Sequence, residues 1–155
     1  MNTRKKQREK FDKYSFSKRQ VWNADQTMAS FILPLLKEFK RMKRHGYPDC
    51  DENTNTPEKW EATLDRIIYT FDQLVHDFPD SPRSLARNKM EREHPECWDY
   101  KLTKDSPATY KMDFVHEDLH KQYLTNEINE KEKEYRAYIQ EGLMLFAKYF
   151  QDLWD

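Results

Sequence analysis

His116-Glu117-Asp118-Leu119-His120 reads as H-E-x-x-H. On a helix, two histidines four residues apart share a face. They can hold Zn²⁺ while the glutamate acts as general base of a hydrolase. Asp118 and Lys121, however, put charges where such helices bury uncharged residues. The spacing also specifies no third ligand, although Glu127, Glu130 and Glu134 are available. A solvated helical turn is the plainer reading. A metal-dependent hydrolase built on His116, Glu117 and His120 is the weak alternative.

Two further sets have chemical potential. Asp25 and Asp65 lie on the two best-defined helical runs, and paired acids can serve a metal or a proton transfer. Acids in such places more often cap helices or pair with Lys and Arg. Trp22, Asn23, His45, Tyr47 and Trp60 combine flat rings and polar tips near helix ends, with Arg44 beside them. Bases stack on such rings, and helix N-termini hold phosphates. The competing reading is that these rings close a thin core. Two glycines in the whole chain exclude Walker-type and dinucleotide-binding fingerprints. There is no G-x-S-x-G, and neither Cys50 nor Cys97 has metal-ligand spacing.

The elements that must position these residues are helices. Between Thr56 and Phe78, apolar residues from Trp60 to Phe78 recur at steps of three and four, the spacing of one helical face. Thr56 caps this helix and Pro57 suits its first turn. Upstream, Asn23 followed by Gln26 fits a capping box. Met28, Phe31, Ile32, Leu35, Leu36 and Phe39 then form a broad apolar face. Pro34 falls inside that run and predicts a kink, not a break. Gly46 reads as a left-handed stop, with Pro48 beyond it. A short helix is expected near Ser84 to Glu93, and another between Asp113 and Leu124. Thr125 or Asn126 opens a long final helix. Gly142 sits inside it and predicts close backbone packing, because glycine there costs about 1 kcal/mol relative to alanine. No strand-like alternation is apparent. The expected fold is all-α: an irregular bundle of three principal helices with a long loop excursion over residues 83–112. The domain division is a basic N-terminal arm, residues 1–19, and a single helical domain, residues 20–155.

Composition limits the function classes. The charged fraction is 35% and the hydrophobic fraction 37%, so the core is thin or is completed by a partner. Aromatics at 14% argue against a disordered chain. A formal net charge of −1 gives no global field for nucleic acid or membrane. The longest apolar run, Phe31 to Leu36, is too short to span a bilayer. No secretory leader is evident, so free thiols in a reducing cytosol are expected. The basic arm reads as a solvated tail or as a contact for phosphate or an acidic partner.

The segments WNADQTMASFILPLLKEFK, HGYP, TPEKWEATLDRIIYTF and IQEGLMLFAKYFQDLWD resemble a group of small helical tailed-bacteriophage proteins. The matching positions are Trp22, Asp25, Pro34, Leu35, Phe39, Gly46, Pro48, Trp60, Leu64, Asp65, Phe71, Gly142, Phe146 and Trp154, roughly half the chain by segment. The resemblance implies phage infection as a context and transfers no activity. In that context the leading expectation is a non-catalytic host-defence antagonist, working in the host cytoplasm without a cofactor. It would sequester a nucleotide-derived immune signal between Trp22, Asn23, Asp25, Arg44, His45, Tyr47, Trp60 and Asp65, where the starts of the first two helices are expected to meet. The alternative is a protein-binding or structural accessory factor acting on a host or virion protein. Self-association is expected in either case, and membrane insertion in neither.

Overall fold

The computed structural model describes residues 16–43 and 46–153. Most of the basic arm, Arg44, His45, Trp154 and Asp155 lie outside the described residues. The elements are α1 (Lys18–Trp22), α2 (Ala24–Arg41), α3 (Pro57–Val75), α4 (Pro82–Glu93), a 3-10 turn (Pro95–Trp98), β1 (Tyr100–Ser106), β2 (Thr109–Phe114), α5 (Glu117–Tyr123), α6 (Asn126–Lys148) and a last 3-10 turn (Phe150–Asp152). The protein is largely helical, but it is not purely all-α. The short helix expected near Ser84 to Glu93 forms as α4, but the rest of the expected loop excursion holds an antiparallel hairpin, β1–β2, that runs on to Phe114.

Caps explain the helix boundaries. The Thr56 hydroxyl accepts from Lys59 N and Pro57 occupies the first turn of α3. The Thr125 hydroxyl accepts from Ile128 N and opens α6. The capping box expected at Asn23 does not form. Asn23 ends α1 with φ −106° and makes no side-chain cap bond to α2. The box lies six residues earlier instead, at the start of α1, where Ser17 and Gln20 satisfy each other's backbone N–H. α2 runs through Pro34 unbroken. Gly46 does not take a positive φ, so it is no left-handed stop. α3 does end in a left-handed turn, at Asp77 (φ 56°), with Phe78 N donating to Gln73 O at 2.7 Å.

α2 and α3 are antiparallel. Gln26, at the start of α2, donates to Val75 O at the end of α3. Lys40, at the end of α2, bonds Asp65 in the first half of α3. α6 returns antiparallel to α3: Trp60 meets Tyr149 edge-on at 5.7 Å and Phe71 meets Phe146 at 4.8 Å. Farther along α3, the Tyr135 hydroxyl donates to Gln73 at 2.7 Å. The core gathers Ala29, Leu33 and Leu36 of α2 with Ile67 and Phe71 of α3. Beside it, Trp60 and Leu64 pack on Tyr149. Among the described residues, the other buried apolar ones are Met90, Cys97 and Ile139.

Candidate functional site

α2 carries more apolar surface than the other described residues cover. At 100° per residue, Ala29, Leu33 and Leu36 point one way, and they are buried against α3. Met28, Phe31 and Leu35 form an adjoining strip at i, i+3 and i+7, with exposures of 59%, 59% and 70%. Met42 extends the strip at one end, and Val21 and Trp22 of α1 add exposed apolar surface at the other. Polar contacts hold the helix that presents the strip. Lys37 pairs with Asp72 at 2.9 Å, Lys40 pairs with Asp65, and Gln26 reaches Val75 O at 3.2 Å. Single exposed apolar residues are ordinary, but a run at helical spacing on a pinned helix is the pattern of a helix that docks in a partner's groove.

The hairpin has a second apolar face. Its register pairs Tyr100 with Phe114, Leu102 with Met112 and Lys104 with Tyr110. Side chains alternate along a strand, so these six share one face of the ribbon. Tyr100, Leu102, Tyr110, Met112 and Phe114 are all exposed. The opposite face is polar: Thr103 donates to Asp113 at 3.1 Å and Lys111 pairs with Asp113 at 2.8 Å. Only the base of the apolar face is packed. Phe114 stacks on His120 at 4.6 Å and meets Trp98 edge-on at 6.0 Å.

Among the described residues, those of the expected ligand site are not brought together in one place. Because α2 and α3 are antiparallel, their starts lie at opposite ends of the pair, about 27 Å apart over the 18 residues of α2. Trp22, Asn23 and Asp25 stand at one end, with Trp22 almost wholly in solvent at 89% exposure. Tyr47, Trp60 and Asp65 stand at the other. There, Tyr47 and Trp60 border a cavity of about 370 Å³ with Lys40, Met42, Gly46, Pro57 and Glu61. Trp60 is itself buried and closes the core against Tyr149. Asp65 is the partner of Lys40, the plainer of the two roles expected for it. Arg44 and His45 lie outside the described residues.

Nor is the H-E-x-x-H set arranged for zinc. α5 begins at Glu117, so His116 sits before the helix with φ −111° and does not share its face. The His120 Nε2 lies 2.8 Å from the carbonyl of Cys97, and its ring is stacked on Phe114. Glu117 pairs with Lys121 at 2.9 Å, which holds its carboxyl below the usual range. Among the described residues no group of three His, Cys, Asp or Glu side chains is placed to hold a metal. Both cysteines are free. Their thiols are pushed up, first by desolvation and then by nearby carboxylates, so neither is activated as a nucleophile.

Comparison of the chain with family models, curated proteins and solved structures finds no match. Among the described residues, no helix is long and apolar enough to cross a membrane.

Residue types marked the α2 face as apolar without showing that Met28, Phe31 and Leu35 stay exposed, and they passed over the hairpin face. Both had a signal. The arc from Met28 to Phe39 is wider than one packed neighbour can cover. Tyr100-Lys101-Leu102-Thr103-Lys104 and Thr109-Tyr110-Lys111-Met112-Asp113-Phe114 alternate at period two. The expectation of no strand-like pattern is corrected by this hairpin. The tightly held carboxylate of Asp51 was also missed. Asp51 accepts from the Tyr149 hydroxyl at 2.7 Å, and it pairs with Lys148. With Asn53 N donating as well, its pKa is lowered to about 2.

Proposed function

We propose that the protein is a non-catalytic binding factor whose working contact is with another protein, made by the uncovered strip of α2. The observation that carries this reading is the exposed run Met28, Phe31 and Leu35 on a helix pinned at both ends. Such anchors fill an apolar groove, and the two or three best-packed side chains supply most of the affinity. The phage group resembled by the motifs suggests the setting: infection, with a host or virion protein as partner and the host cytoplasm as the place of contact.

Sequestration of a nucleotide-derived signal has less support. Its proposed walls stand at two ends of α2. Among the described residues, the cavity by Tyr47 and Trp60 has Lys40 as its cationic lining residue, and Lys40 is bonded to Asp65. A phosphate there would have to displace a carboxylate.

Two measurements on the same preparation separate the readings. Tagged chain is used to recover partners from infected-cell lysate, beside a Phe31→Glu/Leu35→Glu variant of unchanged helicity. The protein-binding reading expects a defined protein retained by the wild-type chain and reduced about 10-fold or more in the variant. A thermal-shift panel of cyclic nucleotides and ADP-ribose derivatives is expected to leave the melting temperature unmoved. A saturable rise with one of them, and equal protein recovery by both chains, would overturn the reading.

A further inference from the structure

The hairpin face is separate from the α2 strip and raises its own question. A two-stranded ribbon is marginal in water unless a face is packed. Here only the base is held, through Phe114, Trp98 and His120, and the rest of the apolar face is open. We propose that this face is closed by a second copy of the chain, packed ribbon to ribbon about a two-fold axis through the Leu102–Met112 pair.

Three observations select a second copy as the occupant. The first is symmetry. Leu102–Met112 is the middle of three face pairs, with Tyr100–Phe114 on one side and Lys104–Tyr110 on the other. Each outer pair lies about 7 Å from the centre along the strands. A two-fold rotation there lays Lys104 of each copy on Tyr100 of the other and brings Tyr110 beside the part of Phe114 that His120 and Trp98 leave exposed. The second is charge. Lys104 is the one ionic side chain on the face. Placed over Tyr100 its ammonium gains a cation–π contact and keeps water access at the rim. The third is area. Exposures of 38% to 65% on five residues leave on the order of 500 Å² of apolar side chain per copy. Doubled, this reaches the roughly 1,000 Å² that a specific interface needs. The polar face, already satisfied by the Thr103–Asp113 and Lys111–Asp113 contacts, stays in solvent.

Sedimentation of the full chain tests this. The wild-type protein is expected to run as a concentration-dependent dimer. Met112→Glu is expected to weaken the dimer about 100-fold or more, since each copy would bring an unpaired carboxylate to the axis. Residue 112 is exposed, so helical circular dichroism should be unchanged. Mixing Met112→Glu with Met112→Lys chains is expected to restore a mixed dimer. Tyr110→Ser, at the end of the face, serves as a second variant, with a loss of about 10-fold. A wild-type chain that stays monomeric to about 100 µM overturns the proposal. So does a dimer indifferent to Met112→Glu, or mixed chains that fail to pair. A foreign protein bound by a monomeric hairpin does the same. Dimer loss is expected to leave the α2 contact intact, so the two readings fail separately.

Discussion

Gly142 of α6 meets Thr70 of α3 so closely that a methyl group on the glycine would lie 1.8 Å from the threonine hydroxyl oxygen. Thr70 is fully buried and turns its hydroxyl back to Arg66 O at 3.1 Å. The contact sets the distance between the central helix and the last one. Both α2, through its core face, and the C-terminal turn are built on that pair.

Gly142→Ala is therefore expected to destabilise the protein, although alanine is the better helix former. The helical gain is about 1 kcal/mol, while overpacking a core costs typically 1–3 kcal/mol and more when backbone must move. A net loss of about 1–2 kcal/mol should appear in urea unfolding. Adding Thr70→Ala removes the contact to the hydroxyl but leaves one at 2.8 Å to the Cβ, so rescue should be partial. A neutral Gly142→Ala would mean that the two helices are not this close.

Asp51 ties the loop before α3 to the C-terminal turn through Tyr149. Hydrogen bonds from Lys148, Tyr149 and Asn53 N lower its pKa from 3.8 to about 2. Because the folded value is depressed, this contribution is complete above the unfolded value and fades as pH falls through about 2. Glu132 adds to the same acid limb. Burial raises its pKa, but Arg136, Ser81 and Arg83 N outweigh that and lower it overall. The stability gap between wild type and Asp51→Asn should be constant from about pH 6 to about pH 4.5 and should shrink below that. Tyr149→Phe should cost about 1–2 kcal/mol at neutral pH and keep the Trp60 ring contact. A gap independent of pH would contradict the Asp51 assignment.

His120 is a structural residue in this account. Its ring contacts the Cys97 carbonyl, Phe114 and Trp98. His120→Ala should cost about 1–3 kcal/mol by stranding that carbonyl and removing the stacked ring. Zinc added to the wild-type protein should leave its melting temperature unchanged, and His116→Ala should be close to neutral. A zinc-dependent rise abolished by either substitution would restore the metal reading.

The helices were legible because their cause is local. Steps of three and four gave α2, α3 and α6, and Thr56 and Thr125 marked two starts through hydroxyls that cap. Gly142 was legible as a close approach, though not its neighbour Thr70. The first cap was misplaced because Asn23 and Ser17 stand in similar patterns, and only the backbone at Asn23 decides between them. The hairpin was missed because its alternation is brief, follows Pro95 and is interrupted by Pro107 in its turn. The two helix starts do not meet as expected, for a non-local reason. Antiparallel packing parts the two helix starts, and local periodicity holds no information on helix direction.

The most direct test of the central claim is photocrosslinking from α2 during infection. A benzophenone side chain replaces Phe31 in the full chain, with the same group at the exposed Glu130 of α6 as control. The account predicts one defined host or virion protein joined at position 31 and absent from the control. No protein adduct at position 31, together with a nucleotide-derived compound that co-purifies with the chain and raises its melting temperature, would contradict it.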